Sequence, residues 1–280
     1  MPTFTKKDHP RLGFDPMPLL GGRGAFQMVP RGGARGVLLL DGPKHTLEMA
    51  PSSVGTPGKA DFIEIPVGTP NRREIWINGL EEGGAILAAK NPSTGMYDVK
   101  LECQVTLEWK KTVGFYILKD AAGRKSRMFT AAKALAMLND AYEIIYHQTN
   151  VKLESAFNPD ESFDVQADLG DTPMVKTTME RVEKLVTFAA ADFHVFLIWK
   201  MEDDALAIHG MTPLGVTVGA ICLIKDTDKD VGTILAHEAG HRFGLPSHNE
   251  QDPTNLMYKL AVGGKQLNKQ QMLKVNQFCS

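Results

Sequence analysis

Between Thr233 and Tyr258 the chain reads TILAHEAGHRFGLPSHNEQDPTNLMY, and this segment carries three histidines and a glutamate at spacings that suit metal-assisted hydrolysis. Side chains four apart on a helix lie one above the other, so His237 and His241 can aim their imidazoles at one zinc ion. Glu238 follows the first of them, where a carboxylate can reach a metal-activated water without taking a coordination position. Gly244 can end the helix in a left-handed conformation and Pro246 prevents its continuation, so the returning chain can bring a third ligand to the ion. That ligand is narrowed by elimination: no Asp, Glu or His follows Asp252, which leaves His248, Glu250 and Asp252 downstream of the motif. Imidazole suits zinc in a histidine-rich site better than a single carboxylate oxygen, which favours His248. Asp252, preceding Pro253 in a turn, is the substitute.

The chemistry expected of such a site is peptide hydrolysis without a covalent intermediate. Zinc acidifies a water and polarises the carbonyl, while Glu238 acts as general base and returns the proton to the leaving amine. Two plainer readings stand beside it: packing histidines with no metal, and a closed structural zinc site. Glu238 would be an odd neighbour for the second.

These residues resemble the active-site segment of the metzincin clan of zinc endopeptidases, and are similar to its matrixin-like members. His237, Glu238, His241 and Gly244 match that pattern directly. Its third histidine falls where this chain has Ser247, so His248 stands one residue later. Met257 in NLMY is the counterpart of the methionine turn beneath the metal, a structural role. The resemblance covers residues 112 to 280 and implies an α+β catalytic domain with a final helix packed in its lower part. It also implies an edge strand that aligns extended peptide; Gly215 to Ala220 is the candidate. No ligand role is carried to Tyr258.

The elements that must position these residues are legible as patterns. From Thr130 a capped helix with Ala134, Leu138, Ala141 and Ile145 on one stripe is expected over 130–148. VKLES reads as a strand, 158–171 as an acidic surface loop, and Met179, Val182, Val186 and Ala189 as one face of a helix over 176–191. FHVFLIWK is apolar on both faces, as a central strand requires, and GVTVGAICLIK is a further strand. Asn268 and Gln271 form a capping box for a last helix. His147, His194 and His209 lack motif spacing and read as local structure. Lys225 to Asp230 reads as a solvated loop, with a calcium site as the lesser alternative.

Upstream, GVLLLDG, HTLEM, DFIEIPV, REIWING and AILAA read as short strands separated by turn residues. YDVKLECQVTLE alternates so that Tyr97, Val99, Leu101, Cys103, Val105 and Leu107 share one face. The chain is therefore expected to be multidomain: a glycine-rich flexible arm over 1–34, an Ig-like β-sandwich over 35–110, and a metzincin-like α+β metallopeptidase domain over 111–280.

Composition narrows the function classes. With 280 residues and 43% hydrophobic content there is enough apolar surface for a substantial core. The 31 basic and 33 acidic side chains give a formal charge of −2, and no basic block suggests a nucleic-acid track. No segment has transmembrane length, and the N-terminus lacks the apolar run of a conventional secretory signal. A soluble protein is expected, with specialised secretion or delivery left open. Three cysteines, Cys103, Cys222 and Cys279, are too few for a disulfide-held fold; the first two read as buried small side chains. The leading expectation is a zinc endopeptidase acting on a protein or peptide, and a bacterial secreted effector or toxin is the setting this architecture suits. The N-terminal region could engage a secretion apparatus or target protein. The alternative is a catalytically weak or inactive metal-containing binding module that docks through the sandwich, or a sandwich that is itself the functional centre.

Overall fold

The computed structural model describes residues 2–6, 24–40, 44–50, 58–65, 71–119, 126, 130–156, 165–168, 191–199, 210–211, 220–225, 230–259 and 264–280. The architecture is mixed α/β, in two compact units. Met1–Trp109, His147–Asn150 and Gln266–Asn276 form the first; Lys110–Tyr146, Val151–Lys265 and Gln277–Ser280 form the second.

The first unit contains two four-stranded sheets. One holds β1 (Thr3–Lys6), β3 (Ala34–Leu40), β6 (Arg72–Gly79) and β5 (Ala60–Ile65) in that order, all antiparallel. The other holds β2 (Gly24–Pro30), β8 (Tyr97–Thr106), β7 (Gly83–Lys90) and β4 (Thr46–Ala50). Alternation along each strand sends one face inward. Val37, Leu39, Ile75 and Ile77 from the first sheet and Leu87, Leu101, Cys103 and Val105 from the second join one buried cluster. Tyr97, which alternation alone places on the same face, lies beyond the core at 37% exposure, with Lys90 and Lys100 over its ring and its hydroxyl donated to Glu48.

The glycine-rich stretch over 1–34 is not simply an arm. Its residues supply β1 and β2, and β2 runs parallel to β8 with Phe26, Met28 and Val29 buried. The apolar run AFQMV supplies buried side chains that offset the cost of ordering the glycines that follow it, Gly32 and Gly33. Asn150 is a second feature with no clear sequence signal. At φ 57° it takes the left-handed conformation that Asn tolerates. Its side chain accepts from Arg35 and donates to Thr106, and its carbonyl accepts from Trp109.

The second unit is built on a six-stranded sheet of β9 (Trp109–Lys119), β10 (Val151–Ser155), β11 (Val165–Asp168), β12 (Phe193–Ile198), β13 (Gly210–Met211) and β14 (Ala220–Lys225), ordered β10-β9-β12-β14-β13, with β11 also pairing β9. β12 is parallel to both neighbours, and all six of its residues are buried, which is why its apolar run has no wet face. β11 lies inside the stretch read as a loop over 158–171. The helix expected over 176–191 and most of the edge-strand candidate over 215–220 fall outside the described residues, as does His209.

Helix α1 (Ala131–Thr149) begins where Thr130 Oγ1 accepts the Lys133 amide at 3.3 Å, and its stripe of Ala134, Leu138, Ala141 and Ile145 is buried. Two more helices are α2 (Val231–Arg242) and α3 (Lys269–Phe278). The capping box before α3 forms as read: Asn268 Oδ1 accepts from the Gln271 amide at 2.9 Å, and Gln271 Oε1 accepts from the Asn268 amide at 3.0 Å. The final helix was expected to belong wholly to the domain over 111–280, yet Gln266–Asn276 group with the first unit. Lys269 pairs with Glu102 at 2.5 Å, and Asn276 donates to the carbonyls of Leu107 and Thr149, polar anchors that a helix-face pattern does not reveal. No helix among the described residues is long and apolar enough to cross a membrane.

Candidate metal centre

Helix α2 is buried on every side from Gly232 to Gly240, so it is a core element rather than an amphipathic surface helix. Asp230 starts it, accepting from the Thr233 amide at 3.1 Å and the Thr233 hydroxyl at 2.8 Å, with Lys265 Nζ 2.7 Å away. Burial opposes ionisation of Asp230, but Lys265 and Thr233 outweigh it and hold the carboxyl below its usual value. Asp230 therefore serves as a cap, and residues 226–229 of the loop lie outside the described residues.

The helix ends in a Schellman motif. Gly244 sits at φ 89°, its amide donates to the His241 carbonyl at 3.3 Å, and the Leu245 amide donates to the Gly240 carbonyl at 3.0 Å. A side chain at Gly244 would be strained by this backbone and would press on the Phe278 ring. The motif turns the Leu245 carbonyl back onto the helix, where it accepts from His241 Nδ1 at 2.7 Å. Because a carbonyl can only accept, Nδ1 carries the proton and Nε2 presents a bare lone pair. His237 is held the same way: Nδ1 donates to the Leu256 carbonyl at 2.7 Å.

His248 arrives on the chain that returns past the end of α2. Its Nε2 lies 3.2 Å from Nε2 of His241, and one ligand atom from each of His237, His241 and His248 lies within 4.8 Å of the others. Two imidazole nitrogens at tetrahedral positions around zinc, with bonds near 2.0–2.1 Å, would be about 3.4 Å apart. The 3.2 Å spacing fits that edge. His237 is 2% exposed while His248 is exposed, so the cluster is buried on one side and open on the other. Among the described residues this is the one grouping of three or more His, Cys, Asp or Glu able to hold a metal ion.

Met257 is fully buried against the underside of α2, where a Cβ on Gly240 would lie 2.5 Å from its sulfur. Glu238 is 3% exposed, next to His237 on the helix. Asp252 stands apart from the cluster and uses Oδ1 to accept from the Thr254 amide at 2.9 Å and its hydroxyl at 2.6 Å. His194 is a buried residue of β12 with its ring 5.6 Å from that of Tyr116, and His147 lies in the last turn of α1. Cys103 and Cys279 are free, buried thiols, each pushed up to about 12 by burial.

Burial also pushes His237 down to about 4, with further lowering from His241 and His248, against an opposing pull from the Leu256 carbonyl. His241 shifts in the same direction, mainly by burial. Both are therefore neutral at physiological pH, the state a metal ligand needs. In the metal-free protein, the unfolded chain takes up a proton on His237 near pH 6.5 while the folded chain resists until about pH 4. Stability should thus be intact above pH 6.5 and fall through this window, by about 3 kcal/mol from His237 alone. Urea melts of metal-free protein at pH 7, 5.5 and 4 measure it.

Sequence reasoning found the side chains but missed the carbonyls of Leu245 and Leu256 and the turn residue Asn255, whose side chain accepts from the Met257 amide at 2.9 Å. The asparagine two residues before the turn methionine is the signal that was there to be read.

No family model and no curated protein matches the chain. Among solved structures, a 2,6-sialyltransferase of the Vibrionaceae Photobacterium sp. JT-ISH-224, in a ternary complex with CMP and lactose, is similar at 7% identity with a TM-score of 0.20. The similarity covers 62% of this chain and 34% of that one, so the chain spans about a third of its length, and at this TM-score the likeness bears on neither fold nor function.

Proposed function

We propose that the chain is a zinc-dependent endopeptidase, with a metzincin-like second unit and an Ig-like first unit that serves docking or delivery. The observation that carries this reading is the convergence of His248, open to solvent, with two histidines of a helix on which the residue after His237 is a buried glutamate. A nitrogen-only set of three imidazoles suits zinc, and three protein ligands leave a position for chemistry. When bound, zinc supplies Lewis acidity, acidifying a water and polarising the scissile carbonyl.

The remaining steps belong to the chain's own residues. The carbonyls of Leu245 and Leu256 fix the tautomer and tilt of two imidazoles, so little rearrangement accompanies loading. Glu238 takes the proton from the attacking water and delivers it to the leaving amine as the C–N bond breaks, ending as carboxylate. Among the described residues Cys103 and Cys279 are buried thiols whose ionisation burial opposes, which suits neither to act as a nucleophile.

The test is turnover of an unfolded protein substrate. Activity should vanish on removal of the metal with a chelator, return on addition of one equivalent of zinc, and be indifferent to thiol-blocking reagents. Hydrolysis that survives metal removal would overturn the proposal, as would the lack of any turnover by zinc-loaded protein across varied unfolded substrates. The latter result would favour the binding-module reading instead.

A further inference from the structure

The peptide group between Leu256 and Met257 is gripped at both ends. Its carbonyl oxygen accepts from His237 Nδ1 at 2.7 Å, and its N–H donates to Asn255 Oδ1 at 2.9 Å. A peptide is planar, so fixing the N–H end fixes the direction of the carbonyl. The Asn255 side chain thus acts on His237 through one rigid plane, and hydrogen bonds in such a chain polarise one another.

Asn255 is itself held in place. It is 2% exposed, its amide donates to the Asp252 carbonyl at 3.0 Å, and its own carbonyl accepts from the Tyr258 amide at 3.0 Å. Gly264 lies so close that any side chain there would be driven into the Asn255 carbonyl. The same turn also reaches the segment bearing the third histidine: the Asn249 amide, next to His248, donates to the Met257 carbonyl at 2.7 Å. Asn249 Oδ1 then accepts from the amides of Gln251 and Asp252, closing the loop.

We propose that Asn255 is a positioning residue for the metal centre: its side-chain oxygen orients the Leu256–Met257 peptide, and through it locks His237 with Nε2 bare and aimed at the ion. This rests on the metal-centre reading and adds a residue to it. An alanine at 255 frees the N–H, lets the peptide plane tilt, and loosens the one hydrogen bond that selects the His237 tautomer.

The experiment measures zinc affinity by competition with a chromophoric chelator, together with the His237 ring nitrogens by NMR in metal-free protein. Wild type comes first. Failure of wild type to bind zinc would sink the metal-centre reading itself. If it binds, Asn255→Ala should weaken affinity by about 10-fold, within the range seen when partners of metal-bound histidines are removed. Its His237 signals should move from the Nδ1–H form toward a mixture of tautomers. Asn255→Asp, which keeps an acceptor oxygen in place, should restore most of both. Should Asn255→Ala fail to fold, Asn255→Leu, close to Asn in size and without an acceptor, decides in the same assays. Unchanged affinity and unchanged His237 signals in a folded Ala or Leu variant would overturn the proposal, as would equal loss in the Asp variant.

Discussion

Glu238→Gln is expected to cut hydrolysis by on the order of 10²–10⁴-fold while the protein still holds its zinc. The amide matches the carboxylate in size at a position only 3% exposed, so packing is preserved, and the imidazoles of His237, His241 and His248 are untouched. What disappears is a group able to take a proton. The loss should therefore fall on kcat, with KM nearly unchanged, because substrate binding does not depend on that proton transfer. If Glu238 were only a buried polar residue of α2, turnover would track stability and the two would fall together. Steady-state kinetics beside a metal assay on the same preparation separates the cases.

His248→Ala should produce the other large effect, on metal rather than on fold. Structural zinc in small proteins is bound with free energies on the order of 12 kcal/mol. Loss of one of three ligands carrying comparable shares removes roughly 4 kcal/mol, about a 10³-fold drop in affinity. His248 is exposed and its backbone is held by the loop, so the metal-free variant should unfold within about 0.5 kcal/mol of wild type. Asp252→Asn is the matched control. Asp252 bonds to Thr254 and stands outside the cluster, so zinc affinity should hardly change. The reverse pattern, with His248 dispensable and Asp252 essential, would reassign the third ligand.

Much of this was written in spacing that local rules decode. Four-residue separation stacks His237 on His241 whatever surrounds the helix, and a glycine three residues later supplies the positive φ that a Schellman turn needs. β8 shows its buried face by strict alternation, and β12 shows its central position by having no polar face. The spacing offered His248 as a candidate, but its place beside the helix histidines is held by backbone bonds of the loop, such as that from the Asn249 amide to the Met257 carbonyl, which spacing does not show. Carbonyl partners leave no mark in sequence, because every residue has one; hence Leu245 and Leu256 could not be named beforehand. Gln266–Asn276 group with the first unit, where Lys269 and Asn276 have long-range partners that no periodicity encodes. The burial of Phe26 and Met28 within a glycine-rich stretch shows the same limit: glycine density reports ordering cost, while the offsetting apolar contacts come from strands far along the chain.

The most direct test of the metal centre is a crystal structure of the zinc-loaded protein with anomalous data collected on both sides of the zinc edge. One ion per chain is expected, bound through Nε2 of His237, His241 and His248 at about 2.0–2.1 Å, with solvent in the remaining position. A folded protein that takes up no zinc there, or an ion whose fourth position is closed by another protein ligand, would contradict the account.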